Sequence, residues 1–366
     1  MPDLLGESPL LAMFLASALA TLGMAVAVLR WHDVVRRRDQ RAQREGDALA
    51  IEFARFISGR SDAATVRDRA AATRPDVLWT AIESFAEGIE GEEWRRLTRE
   101  LRELREIAGA RARVRVGTRW VRALAARRLG LLEDADLERT LVQAMVAGPP
   151  PVTLAAGLGL ARLRDHRALD WLIQHPESLA GLSRHQLVAL IKRFGPDAVE
   201  PLRRAAALEP TDAPVRVAAI DVLGLWRDEA ARPRIEWLLA NAGLESRIAA
   251  ARALGAMASP ASLPALVAGL RDLAWQVRAQ AARALGSIGP QGSAAVPALV
   301  QRTRDLSWWV RRNATYALGR MGPAGRQALE EVAERDPDRY ARDAAAEVLQ
   351  MIDWEGESPG GQARVE

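Results

Sequence analysis

The chain has 366 residues, enough for two or three ordinary domains or for one long repeat array. It contains no cysteine, which excludes disulfides, thiolate nucleophiles and thiolate metal ligands. Net charge is +4, and of 51 basic residues only Lys192 is a lysine; a bias this complete reads as base composition of the coding sequence ahead of a nucleic-acid signature.

The first predicted element is apolar. Residues 10–29 read LLAMFLASALATLGMAVAVL, uncharged, with Ser17 and Thr21 as the only polar side chains. Twenty helical residues measure about 30 Å, the thickness of a hydrocarbon core, so the run predicts one transmembrane helix within a segment 1–29. Asp3 and Glu7 precede it, while Arg30, Arg36, Arg37, Arg38, Arg41 and Arg44 follow, and Trp31 stands where an interfacial aromatic would sit. A cleaved signal peptide would carry its basic residues before the apolar core. The asymmetry predicts a single-pass inner-membrane protein with its N-terminus outside and residues 30–366 in the cytoplasm. Ala16, Ala20, Gly23 and Ala27 share one stripe, which suits pairing of two such helices or reflects alanine enrichment alone.

Residues 30–60 then read as a basic juxtamembrane helix, in which Arg36, Arg37 and Arg38 would face anionic lipid. Residues 61–110 read as further helices. Leu97, Leu101, Leu104 and Ile107 recur there at helical spacing and predict core contacts. The stretch RARVRVGTRWVRALAARR, 111–128, holds seven arginines and no acid. Arg111, Arg113 and Arg115 would touch lipid headgroups, or form a solvated entry to the first repeat.

From residue 121 onward a ten-residue block recurs: VRALAARRLG (121–130), VRVAAIDVLG (215–224), SRIAAARALG (246–255), VRAQAARALG (277–286) and VRRNATYALG (310–319). Weaker copies begin at 152, 186 and 341. Starts fall 29 to 34 residues apart. Within a block Val277, Ala281, Ala284, Leu285 and Ile288 fall on one helical face, and Val310, Ala314, Ala317, Leu318 and Met321 repeat it. The closing glycines Gly130, Gly195, Gly224, Gly255, Gly286 and Gly319 suit left-handed helix caps, with Pro290 and Pro323 soon after. Between blocks lies a second apolar helix. A helix pair of this length cannot bury its apolar face alone, so copies must stack into a solenoid.

Over about residues 107–352 the chain resembles the HEAT repeat family, in the short form also called phycobilisome-lyase-like repeats. The resemblance implies an all-α fold: an α-solenoid of about eight HEAT-like helix pairs over 111–353, here preceded by a transmembrane helix and a helical linker region, with a flexible tail at 354–366. Family members carry an aspartate six residues before the block arginine, forming a ladder between repeats. Asp272 with Arg278, Asp305 with Arg311 and Asp336 with Arg342 match that pattern, whereas Asn241 precedes Arg247 and Pro210 precedes Arg216. These residues read as structural, the aspartate capping a helix start and accepting from arginine.

Chemistry finds little foothold. His32, His166, His175 and His185 have no metal-ligand spacing; no nucleophile elbow or phosphate loop occurs; and GLGLA at 157–161 lies inside a helical repeat with no strand before it. The chain therefore reads as a non-enzyme without cofactor or metal. Trp275, Trp308 and Trp309 gather in the last repeats. Trp309, Arg312 and Trp275 are the candidate partner surface, an aromatic beside arginine being a hot-spot composition; the alternative is that Trp309 packs on a neighbouring loop. The expected function is a membrane-anchored scaffold that binds a protein partner, itself membrane-associated, an envelope glycosyltransferase being one example. The alternatives are a HEAT-like chromophore lyase and a basic nucleic-acid-binding solenoid.

Overall fold

The computed structural model describes residues 9–357 apart from 90 and 209–211, and within these the side chains of 9–12, 14–16, 18 and 355–357 are left aside. The described residues are helical or in turns. They fall into two compact units, residues 1–117 with 128–137, and residues 118–127 with 138–366.

The first unit opens on α1 (Pro9–Ile57), a 49-residue helix, followed by α2 (Ala63–Ala72), α3 (Pro75–Gly88), α4 (Glu92–Leu101) and α5 (Arg105–Arg113). Its core forms where the second half of α1 meets α3 and α4. Leu49, Phe53 and Phe56, spaced four and three apart, are buried, and Phe53 meets Phe85 edge-on with centroids 5.4 Å apart. Trp79 and Trp94 are buried with them, and the Trp94 indole donates to the Leu131 carbonyl at 2.8 Å. The Asp62 carboxylate caps α2 by accepting from the Thr65 amide at 2.8 Å. Leu97, Leu101, Leu104 and Ile107 are buried as their spacing predicts, but they lie on two helices. The chain breaks at Leu104, whose extended backbone starts α5, with no glycine or proline to announce it.

The apolar run 10–29 is not found as a membrane span among the described residues. It continues without interruption into the charged part of α1, and among the described residues no helix is long and apolar enough to cross a membrane. The single-pass inner-membrane placement, with the array in the cytoplasm, is thereby overturned, and the lipid-facing role of Arg36, Arg37 and Arg38 loses its basis. Those three are exposed, and Arg37 pairs with Asp33 at 2.8 Å on its own helix. Arg111, Arg113 and Arg115 are exposed at the end of α5 and in the following turn. Of the small-residue stripe, Ala20, Gly23 and Ala27 are exposed on α1, while the Ala16 side chain, like Asp3, Glu7 and Pro210, lies outside the described residues.

Helix α6 (Arg119–Gly130) carries the first block. The second unit then runs α7 (Ala135–Ala147), α8 (Pro150–Arg162), α9 (His166–Gln174), α10 (Arg184–Arg193), α11 (Val199–Ala207), α12 (Pro214–Leu225), α13 (Arg232–Asn241), α14 (Leu244–Met257), α15 (Leu263–Gly269), α16 (Trp275–Ile288), α17 (Val296–Arg302), α18 (Trp308–Gly319), α19 (Gly322–Arg335) and α20 (Arg339–Glu357). The last helix runs past 354, where the sequence suggested a tail. Every later block lies on an even-numbered helix. From α8 to α20 each even helix packs against the next, and α9, α11 and α13 form a second row behind them. This two-row stack of helix pairs is a solenoid. The predicted column is its core: Val277, Ala281, Ala284, Leu285 and Ile288 are buried, as are Val310, Ala314, Ala317, Leu318 and Met321.

The block glycines serve packing rather than capping. Gly224, Gly255 and Gly286 lie inside α12, α14 and α16. A Cβ on Gly224 would stand 2.5 Å from the Ala253 Cα of the next block helix; one on Gly255, 2.8 Å from the Ala284 Cα; one on Gly286, 2.9 Å from the Ala317 Cα. Each glycine is a notch into which the following helix backbone settles. Of the six block glycines only Gly195 has a positive φ, 82°, and its ψ of 169° is extended, not that of a left-handed cap.

Candidate functional site

The site residues sit at one recurrent place, the turn that enters each block helix. Two such turns read Asp-Leu-x-Trp, at 272–275 and 305–308. In each the aspartate folds inward, and its carboxylate accepts from the backbone amide two residues on: Ala274 at 2.8 Å, Ser307 at 3.0 Å. Asp336 does the same with Asp338 at 2.9 Å.

With its carboxylate fixed, each aspartate is clasped by an arginine of the preceding repeat. Arg247 grips Asp272 through Nε at 2.8 Å and Nη2 at 3.1 Å, and Arg278 grips Asp305 through both atoms at 2.8 Å. The expected partners within a repeat are not joined in this way. Arg278, Arg311 and Arg342 instead donate Nη1 to the backbone carbonyls of Asp272, Asp305 and Asp336, at 2.9, 2.9 and 2.6 Å. One guanidinium thus ties its own turn through the backbone and the next turn through a carboxylate. At the third rung Arg304 takes the clasping place, its Nε 2.8 Å from both Asp336 oxygens, and Arg311 lies over the exposed Tyr340 ring at 5.8 Å. Arg247 completes a rung that the sequence left open, because its carboxylate lies one repeat ahead.

The Asp305 side chain is almost fully buried. Burial pushes its pKa up, but the hydrogen bonds from Arg278 and the Ser307 amide, with the charges of Arg278 and Arg302, outweigh this and hold it below the ordinary 3.8. The Arg278 pKa is correspondingly raised, chiefly by its hydrogen bond to Asp305.

While the aspartate turns in, the next residue turns out. Leu273 is 99% exposed and Leu306 98%. Trp275, Trp308 and Trp309 are about half exposed, and Trp308 and Trp309 pack edge-to-face with centroids 4.8 Å apart. The Arg312 guanidinium lies over Trp308 at 5.7 Å and over Tyr316 at 4.6 Å, so it continues from Trp308 rather than from Trp309. Of the residues the sequence singled out, Trp309 packs on Trp308, over which Arg312 lies, and Trp275 stands one repeat away. Leu273 and Leu306 went unnoticed; their signal was a leucine directly after the ladder aspartate, two residues before the helix begins.

A second feature lies on the even helices. Blocks starting at 186, 215, 246 and 277 carry Lys192, Asp221, Arg252 and Arg283 at their seventh position. These four side chains, with Arg184, line a pocket of about 500 Å3 floored by Val188, Leu225 and the alanines between. Asp221 is buried and accepts from Arg184 at 2.8 Å and from Arg252 at 2.6 and 2.9 Å. Among the described residues no group of three or more His, Asp or Glu is placed to hold a metal ion.

Comparison with known proteins finds a family match over part of the array. Segments 200–274 and 264–350 each match the family model described as HEAT repeats. The two matches together span residues 200–350, less than half of the chain. No curated protein matches the chain. Among solved structures, the complex of CpcE and CpcF of phycocyanin lyase from Nostoc sp. PCC7120 is 22% identical, covering 42% of this chain and 98% of that one, with a TM-score of 0.33. An engineered protein is 18% identical over 80% of this chain and 89% of its own, with a TM-score of 0.38. Human deoxyhypusine hydroxylase in complex with glycerol is 19% identical over 86% and 98%, with a TM-score of 0.29.

Proposed function

We propose that the HEAT-repeat array is a protein-binding scaffold whose docking edge is the row of block-entry turns in the last repeats. The observation that carries this is the pair Leu273 and Leu306, both fully exposed at equivalent turns and each followed two residues later by a half-exposed tryptophan. Nothing in folding requires a leucine there, because the clasped aspartate beside it already fixes the turn. Removing exposed apolar side chains from water stabilises a complex, and each leucine fully buried in a partner contributes about 1.5–3 kcal/mol of transfer free energy. Trp308, Trp309 and Arg312 add the aromatic and arginine composition of binding hot spots. The turns are also stiff, so docking on them costs little ordering entropy.

Site-specific photo-crosslinking in the native cell tests the reading. A photoreactive amino acid at Trp309 is expected to trap a discrete protein partner, and the same group at Glu334, exposed on α19, is expected to trap none. Equal labelling from both positions, or none from Trp309, would remove the edge from consideration.

A further inference from the structure

We infer that the pocket on the even helices binds an acidic peptide segment, extended across the block helices with a carboxylate at every third residue. The inference rests on the reading of the array as a protein-binding scaffold and names the chemistry of a second contact, separate from the leucine and tryptophan edge.

Three observations converge. The first is preorganised charge. The buried Asp221 carboxylate holds Arg184 on one side and Arg252 on the other, so neither guanidinium moves freely, yet each keeps further N–H groups that no residue of the described chain takes up in these bonds. Asp221 removes one charge and fixes two. The second is unpaired charge. Lys192 and Arg283 line the same pocket, are exposed, and form no ion pair among the described residues. The lining thus gathers Arg184, Lys192, Arg252 and Arg283 around a single carboxylate, Asp221, a local excess of cations.

The third observation is spacing. Lys192, Asp221, Arg252 and Arg283 occupy the same block position on four successive packed helices. Neighbouring helices stand about 8–10 Å apart, so the charge positions recur at about that interval. An extended peptide advances about 3.3–3.6 Å per residue, so every third side chain advances about 10 Å. A carboxylate at every third residue therefore meets successive cations, Arg184 supplying the second rung, where it and Arg252 neutralise Asp221. The apolar floor of Val188, Leu225 and the alanines receives the side chains between. Arginine clamps a carboxylate in two-point fashion, which free inorganic phosphate would also satisfy, but only a chain matches a row.

Fluorescence anisotropy on the full-length protein decides it. The probe is a labelled nonapeptide with glutamate at positions 1, 4 and 7 and leucine or serine elsewhere. The control has the same composition with its glutamates contiguous. The spaced peptide is expected to bind at least tenfold more tightly than the control, and affinity is expected to fall as salt rises. Arg283→Glu and Lys192→Glu should each weaken it at least tenfold with melting unchanged, and Arg283→Gln should weaken it less. Equal affinity for the two peptides would overturn the row, and unchanged affinity in both Glu variants would overturn the pocket. Displacement of the peptide by micromolar inorganic phosphate, or tighter binding of a single-stranded oligonucleotide, would give the site to another anion. These measurements use no cellular partner, so their failure leaves the block-entry edge standing, and failure of crosslinking at Trp309 leaves the pocket standing.

Discussion

Arg278 and Asp305 lie 27 residues apart and share two hydrogen bonds of 2.8 Å, and through them one repeat is fastened to the next. Neither partner is freely solvated. Deleting the carboxylate leaves a largely buried guanidinium without its counter-charge, so Asp305→Ala should destabilise the array by about 3–5 kcal/mol. A double-mutant cycle in chemical denaturation separates the two arginines nearby. Asp305 and Arg278 should show a coupling above about 1 kcal/mol, while Asp305 and Arg311 should be additive within about 0.5 kcal/mol, because Arg311 bonds the Asp305 backbone carbonyl and not its carboxylate. The reverse order would mean that the clasp closes within a repeat.

The same clasp makes a pH prediction. Asp305 titrates below 3.8 in the folded protein, so the folded state holds its proton less tightly than the unfolded chain does. Its contribution is complete above 3.8 and disappears as pH falls from there through the lower folded value. The stability gap between wild type and Asp305→Asn should therefore be constant from about pH 6 to pH 5 and narrow below about pH 4. A gap that widens on acidification would contradict the sign.

Gly224 sets two effects against each other. Replacing glycine by alanine inside a helix gains up to about 1 kcal/mol from propensity. Here the new methyl would lie 2.5 Å from the Ala253 Cα and 2.7 Å from its Cβ, so two backbones must separate. Overpacking of that kind costs about 1–3 kcal/mol. Gly224→Ala should lower the melting temperature by several degrees, whereas Gly88→Ala, with open space around it, should not. Calorimetry on the two variants checks the pair.

Much of this array is legible in the sequence, because two periods coincide: 3.6 within a block, which puts Val277, Ala281 and Leu285 on one face, and about 31 between blocks. Two of the misread features depend on a neighbour one repeat away. Gly255 looks like a helix cap because it closes the block and precedes a loop; its reason is Ala284, 29 residues on. Asp305 stands six residues before Arg311 and 27 after Arg278, and spacing alone favours the nearer arginine although the carboxylate takes the farther one. Leu273 reads as one more apolar residue in an apolar stretch, since outward direction is set by Asp272 turning in. The segment 10–29 has the composition of a membrane span, yet among the described residues no helix is long and apolar enough to cross a membrane.

The central claim, that the block-entry turns bind protein, is tested most directly by the double variant Leu273→Ser, Leu306→Ser, compared with wild type for melting temperature and for affinity toward the partner trapped at Trp309. Both leucines are fully exposed, so the melting temperature should stay within about 2 °C while affinity falls at least tenfold. A variant that binds the partner as wild type does, or one that melts many degrees lower, would mean that these leucines serve the fold or nothing at all, and the docking edge would have to be abandoned.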